Sequence, residues 1–408
     1  MSSSFHKRRS GMRCLRWSAT VVALGAGSAA LAQETYFVPG VSAGAEWNSN
    51  RQLSQDEQSS EGYRASLEAY WRRISPRTNF FLHPQINFQD YPDIAQQERV
   101  SGVLELDTTH RTLKGTYELT AKYTREDTLN AELGRAAFDN VDPNAPDTVG
   151  TGNVTGGITR TRYEVRPSFA YSVTELTDIE GAVRWDSVKY ESDAANERVG
   201  YESPEIEFMA VHAFGPRLRF GAGPYYTKFE SDNDQNKTEG YGANLEMRYQ
   251  WSEVTRMTLA LNAERDDVTT GSRDESATTL GLRWLGQRRM RVGSIRYSIG
   301  RFLEPSSVGS RVKLDQFRVE YLRPIGPRFR IDTALRLARS RSIGNTAENS
   351  DRDRANVEIT ARTQLSRTIT LNAGYRYAFL DRKIIDESVQ NHGVFLTLSF
   401  RGLDPHED

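Results

Sequence analysis

The chain has 408 residues, with 53 lysines and arginines against 54 aspartates and glutamates, and one cysteine. A mean hydropathy of −0.63 excludes a bundle of membrane helices. The absence of a basic excess argues against a nucleic-acid partner, which would want a basic face, and a lone cysteine excludes a disulfide framework or a thiolate metal site.

The N-terminus reads first as an address. "MSSSFHKRRSGMRCLRW" carries Lys7, Arg8, Arg9, Arg13 and Arg16 and no acid, and "SATVVALGAGSAALA" follows as a short apolar run. Ala30 and Ala32 give an A-x-A cleavage site before Gln33. This predicts a secretory signal peptide over 1–32. The apolar run is shorter than the roughly 20 residues a helical span needs. Removing the five basic residues leaves 48 bases against 54 acids, a net −6, and takes away Cys14. No lipid-accepting cysteine follows the cleavage site.

From there to Phe400 the period is two, the signature of strands. In "GYRASLEAYW", Tyr63, Ala65, Leu67, Ala69 and Trp71 share a face. In "YGANLEMRYQW", Tyr241, Ala243, Leu245, Met247, Tyr249 and Trp251 oppose Gly242, Asn244, Glu246, Arg248 and Gln250. "RFRIDTALRLARS" sets Phe329, Ile331, Thr333, Leu335 and Leu337 against Arg328, Arg330, Asp332 and Arg336. Arg339 falls on the apolar side of that count, so the lipid-facing stretch should stop before it. "TITLNAGYRYAF" repeats the pattern, and "HGVFLTLSF" closes it with Val394, Leu396, Leu398 and Phe400 on one face. Apolar faces of about ten residues with aromatics at their ends suit tilted bilayer-crossing strands.

The connections alternate in length. The short ones are "ISPRT", "RTLKG", "SVTEL", "FGPR", "WSEVT", "LGQRR", "PIGPR" and "LSRT". The long polar ones include "SDNDQNKTEG", "RDDVTTGSRDES" and the stretch from Asp127 to Gly157. Eight tight turns between nine long loops predict an all-β, transmembrane antiparallel β-barrel of about 18 strands over 33–400, with short periplasmic turns and long external loops. Residues 401–408 should be a short polar periplasmic tail. Pro84, Pro167 and Pro224 lie inside predicted strands, where each removes a ladder hydrogen bond. The phase slips near Asp315 and Gln316, which suggests a bulge. A propeller of about 40-residue blades is the soluble alternative, disfavoured by the strand length.

No motif carries catalysis. His83, His110, His212, His392 and His406 do not fall at metal-ligand spacing. "DNDQNKTEG" begins like a calcium loop but has Lys237 where glycine is required and Ala243 where glutamate is required. "GAG" at Gly221–Gly223 lies in a strand rather than opening a helix. No catalytic residue, cofactor or metal is expected.

The predicted inward face is the informative one. Its later half is rich in arginine: Arg248, Arg296, Arg318, Arg328, Arg330, Arg336, Arg354, Arg362 and Arg376, with Glu246, Glu320, Asp332 and Glu358 among them. A water-filled lumen tolerates such charge, and rings of charge set selectivity. The same residues could simply brace neighbouring strands by cross-strand pairing. The earlier half offers Arg64, Glu68, Tyr70, His83, Gln85, Asn87, Gln89, Tyr190 and Tyr225, suited to hydroxylated solutes or to plain lumen filling. Asp127 to Gly157, the third external loop, could narrow the channel or stay at the surface.

From "VSAGAEWNSN", with Asn48 and Asn50, to the final hairpin "LNAGYRYAFLDRKIIDESVQNHGVFLTLSF", the chain resembles the β-barrel porin family of bacterial exopolysaccharide and exosortase-linked gene clusters. That resemblance implies an outer-membrane barrel that passes polysaccharide, with no catalytic residues to carry over. The expected role is therefore a non-enzymatic channel for exopolysaccharide. The alternatives are a general or anion-preferring diffusion porin and, in a different class, a barrel-scaffold enzyme or adhesin. Expected partners are outer-membrane lipid, the outer-membrane assembly machinery, and polysaccharide or small anionic solutes. The sequence leaves the oligomeric state open.

Overall fold

The computed structural model describes residues 34–94, 100–128, 158–191, 198–233, 236–270, 273–306, 311–342, 351–383 and 386–403. The signal peptide predicted over 1–32 and most of the third external loop lie outside them. Eighteen strands run in order: β1 Glu34–Asn48, β2 Ser60–Ile74, β3 Thr78–Asp90, β4 Val100–Arg111, β5 Gly115–Asp127, β6 Thr159–Ser172, β7 Thr177–Glu191, β8 Tyr201–Ala213 and β9 Leu218–Ser231. They continue as β10 Asn236–Ser252, β11 Thr255–Thr270, β12 Arg273–Arg289, β13 Ser294–Pro305, β14 Arg311–Pro324, β15 Phe329–Ser342, β16 Arg352–Gln364, β17 Ile369–Arg382 and β18 Glu387–Arg401.

Every strand pairs antiparallel with its sequence neighbours, and β1 pairs with β18 from Gly40 opposite Arg401 to Asn48 opposite Gly393. The sheet is therefore a closed 18-stranded barrel, the form in which strands can span a bilayer because the wall pairs its backbone groups; its weakest seam is β12 against β13, which pair only from Arg283 opposite Gly300 to Arg289 opposite Ser294. The described ends of the wall, Glu34 of β1 and Arg401 of β18, lie on the side of the tight turns.

The outside is apolar. Val394, Leu396, Leu398 and Phe400 all face outward on the closing strand, as do Tyr63, Leu67 and Trp71 on β2. Aromatic pairs mark both rims. Trp71 meets Phe80 at 5.2 Å and Trp284 meets Tyr297 at 5.3 Å on the turn side. Tyr226 meets Tyr241 at 5.0 Å and Tyr123 meets Tyr163 at 5.1 Å on the loop side. An apolar band between two aromatic girdles is the exterior of an outer-membrane barrel, and it locates this protein in the outer membrane.

The prolines act as expected, each at one neighbour only. Pairing of β2 with β3 lapses between Glu68 opposite Gln85 and Trp71 opposite Leu82, around Pro84. It lapses likewise around Pro167 between β6 and β7, and around Pro224 between β8 and β9. The opposite ladders continue through all three residues.

Four expectations need correction. "LGQRR" is part of β12, and the turn is 290–293, where Gly293 has φ 99°. Registers pass through Asp315 and Gln316 without a slip. Asp315 merely faces outward, paired with Arg301 at 2.6 Å, so a charge on the lipid-side count had imitated a bulge. "SDNDQNKTEG" and "RDDVTTGSRDES" are mostly strand, because β9 to β12 continue past the apolar band. Finally, β18 includes Arg401, whose guanidinium lies 4.4 Å over the Tyr70 ring.

Candidate functional site: the charged lumen

Strand alternation fixes which side chains enter the barrel. On β13 to β17 the inward positions are Arg296, Glu304, Arg318, Glu320, Arg330, Asp332, Arg336, Arg352, Arg354, Glu358, Arg362, Arg376 and Arg382, nine arginines against four carboxylates. Glu246 and Arg248 face inward on β10. Arg328 is different: it sits in the exposed turn before β15, where its carbonyl accepts a hydrogen bond from the Gln364 amide at 2.7 Å. The alternation thus predicts the start of β15 one residue too early.

Some arginines are braced. Arg296 Nε donates to Glu320 at 2.7 Å, Arg330 pairs with Asp332 at 2.8 Å, and Arg376 pairs with Glu358 at 3.3 Å. Arg248 makes a two-pronged bond to Glu180 of β7, both at 2.7 Å, three strands around the wall. Arginines also stand directly opposite one another, Arg318 and Arg336, Arg330 and Arg362, Arg352 and Arg382, with Asp332 shared by Arg330 and Arg362 and Glu387 holding Arg382. Like charges in opposed positions destabilise a sheet.

The lumen is not uniformly wet. Toward the turn side, the Arg362 and Arg330 side chains are 47% and 37% exposed. Toward the loop side, Arg336 and Arg354 are 2% and 8% exposed. The turn half of this face is thus more exposed, while Arg318, Arg336 and Arg354 are enclosed. Enclosed charge is tolerable only when it is paired and hydrogen-bonded. With the Gln316 amide oriented to suit, its oxygen accepts from Arg336 Nε at 3.1 Å and Nη2 at 3.0 Å.

The enclosure has identifiable parts. Where β13 hands over to β14, the wall turns inward: Glu304 and Ser306 are buried, and Arg311 reaches Glu264 of β11 at 2.9 Å and also bonds Asp266. Tyr225 and Thr227 of β9 donate to the same Glu264 at 3.1 and 2.6 Å. On the other side, Arg162 and Arg184 each meet Asp186 at 2.7 Å on β6 and β7.

A second inward fold seals the barrel seam. Just after β1, Asn50, Arg51 and Leu53 are buried. The Arg51 guanidinium lies 3.9 Å over the Tyr91 ring and 3.2 Å from Glu46. Glu46 also holds Arg64 at 2.8 Å and Arg376 at 3.7 Å, and it accepts a hydrogen bond from the Tyr91 hydroxyl. Gly62 makes room for this ring, since a Cβ there would lie 2.1 Å from it. Leu53 completes an apolar patch with Ala378, Leu380 and Val389.

His83, expected as a lone lumen histidine, lies between Glu68 at 3.2 Å and Glu105 at 3.7 Å and stacks on Tyr70 at 4.1 Å. Among the described residues, no group of three or more histidines and acids is placed to hold a metal. The sequence reading missed Glu46, Arg51, Tyr91, Glu304, Arg311 and the Arg162–Asp186–Arg184 set. Alternation alone could have placed Glu46, Glu304 and Asp186 inward. Of the third external loop, only Asp127, Thr128 and Ile158 at its ends are described, all buried.

No family model and no curated protein matches the chain. Among solved structures it is similar to OccAB3 of Acinetobacter baumannii, at 9% identity and TM-score 0.46, over 90% of this chain and 99% of that one. It is similar to OpdO of Pseudomonas aeruginosa at 11% identity and TM-score 0.44, over 90% and 98%. OpdK of Pseudomonas aeruginosa, solved with vanillate, gives 9% identity and TM-score 0.44 over the same shares. Likeness at this level carries no argument about function, and the fold assignment rests on the strand pairing itself.

Proposed function

We propose that the protein is an outer-membrane channel for small anionic solutes, wider on the periplasmic side and constricted on the external side. The observation that carries this reading is the arginine excess on β13 to β17, with three arginine pairs set directly opposite across the ladder. A wall built only for bracing would alternate acid and base. A wall that repels itself costs stability, and its return is an electrostatic field that concentrates anions. The passage of a polysaccharide, expected from the family resemblance, finds no support in this geometry. A polymer would have to displace the enclosed layer around Arg336 and Arg311.

The test is planar-bilayer recording of the purified protein in a salt gradient. Chloride should be preferred over potassium. Replacing the solvent-exposed Arg330 and Arg362 by Glu should reverse that preference, while enclosed Arg336 is a poor choice because its loss would also disturb packing. A barrel that conducts nothing, or a selectivity untouched by the double replacement, would overturn the proposal.

A further inference from the structure

The wall parts at one place. Pairing of β12 with β13 stops at Arg283 opposite Gly300, although both strands run on toward the loop side. Beyond that point β13 stays with β14 as far as Pro305 opposite Arg311, and β12 stays with β11 as far as Arg273 opposite Thr270. Pro305 does not account for the gap. Around Pro84, Pro167 and Pro224 the ladder loses the proline and the residue before it, then resumes. By that pattern Pro305 would release 304 and 305, not 301–303. An open strand edge beside lipid leaves backbone groups without partners, which a bilayer penalises. Leu280, on the open arm, is 70% exposed, the most of any leucine in the described strands.

The register continues across the gap. Carried on from Arg283 opposite Gly300, it sets Leu282 against Arg301, Gly281 against Phe302, Leu280 against Leu303 and Thr279 against Glu304. The last two are both enclosed, at 4% and 1% exposed, and among the described residues the Thr279 hydroxyl and both Glu304 carboxylate oxygens lack a hydrogen bond. Such groups are costly to leave unmatched. A hydroxyl donor and a carboxylate acceptor therefore wait on the two arms at matching positions. What holds the arms apart is also visible: Arg311, at the end of the β13–β14 pair, reaches past β12 to Glu264 and Asp266 of β11.

We propose that the loop-side end of β13 is a latch with two seats. In the inner seat Arg311 clasps β11 and narrows the lumen. In the outer seat 301–303 zip onto 280–282, the Thr279 hydroxyl donates to Glu304, the clasp lets go and the channel widens. The latch regulates the anion channel proposed above and rests on that reading.

The experiment is a cross-link. The only cysteine, Cys14, lies in the predicted signal peptide, so the mature barrel carries none. Leu280→Cys with Leu303→Cys puts two thiols at directly opposed positions of the outer seat. Their Cα atoms would then lie about 4.5–5.5 Å apart, within disulfide reach. Mild oxidation of the folded barrel should join them and raise the unitary conductance in planar bilayers until a reductant restores it. Adding Arg311→Ala should speed joining several-fold. Adding Thr279→Val should slow it, since that hydroxyl bonds only in the outer seat. Leu280→Cys with Arg301→Cys, two residues off register, should join poorly. Heat-modifiable gel migration confirms folding of each variant. Folded barrels that do not join, that join equally well off register, or that join without a change in conductance overturn the latch while a chloride preference in wild type still stands. A wild type that conducts nothing overturns the channel itself.

Discussion

At the scale of single residues, the lumen is organised by carboxylates that collect several cations. Glu46 faces Arg51, Arg64 and Arg376 at once and takes the Tyr91 hydroxyl as well. Its removal takes away the carboxylate 3.2 Å from buried Arg51, and breaking a buried pair from one side costs about 3–5 kcal/mol. Glu46→Gln should lower stability by that order, read as a shift of the urea midpoint followed by tryptophan fluorescence. A shift worth less than about 1 kcal/mol would show that Arg51 finds water or another acid. Arg64 and Arg376 were legible as inward residues, but their meeting in one node was not, because its members come from positions 46, 51, 64, 91 and 376. Alternation says that Glu46 points inward, but not whom it meets. The arginines stand out by their abundance, whereas the acids are fewer and individually more heavily used.

At the scale of the strand, the sequence was far more informative. A one-residue slip would move every side chain to the other face, so alternation alone carried the register of β10, β15, β17 and β18. The misreadings share one cause. Polarity alone does not mark a loop, because β9 to β12 keep their ladder above the bilayer, where an outward face need not be apolar. Arg265 with Asp267 at 3.5 Å and Arg339 with Asp353 at 2.9 Å are ion pairs on that outward face. Arg339 thus ends the lipid-facing stretch of β15, as its place in the pattern required. The closing strand allows a paired test. Leu396→Arg sets a cation into lipid and should cost about 2–4 kcal/mol near the midplane. Thr397→Arg, one position along, points into the lumen and should cost much less. Folding into lipid vesicles, followed by the gel shift, measures both, and equal losses would mean that β18 does not have this register. The chain end offers a second comparison. Deleting 402–408 should leave insertion intact, because Phe400 and Arg401 remain. Deleting from Arg401 onward removes the guanidinium over Tyr70 and the Arg401 amide bond to the Thr368 carbonyl at 2.8 Å, and should slow folding. If both truncations fold alike, closure of the wall does not depend on that contact.

At the scale of the molecule, the barrel is asymmetric along its axis. The turn-side half keeps its arginines in water, and the loop-side half packs them against inward-turned wall. The part that can be tested separately is the clasp at the start of β14. Arg311 bridges Glu264 and Asp266, three strands away, and holds the β13–β14 end inside the barrel. Without that guanidinium, two neighbouring acids on β11 lose their shared cation and repel each other. The inward end should then swing toward the wall. Arg311→Ala should therefore raise the unitary conductance measurably above wild type, because the narrowest layer loses one of its pillars. The change should also weaken the chloride preference, since it removes a cation and leaves the acids. Arg311→Lys, which keeps the charge but not the fork that reaches two carboxylates, should fall between the two. Conductance and selectivity equal to wild type in Arg311→Ala would mean that the β13–β14 end holds its inward position without the clasp, and that the constriction lies elsewhere in the lumen.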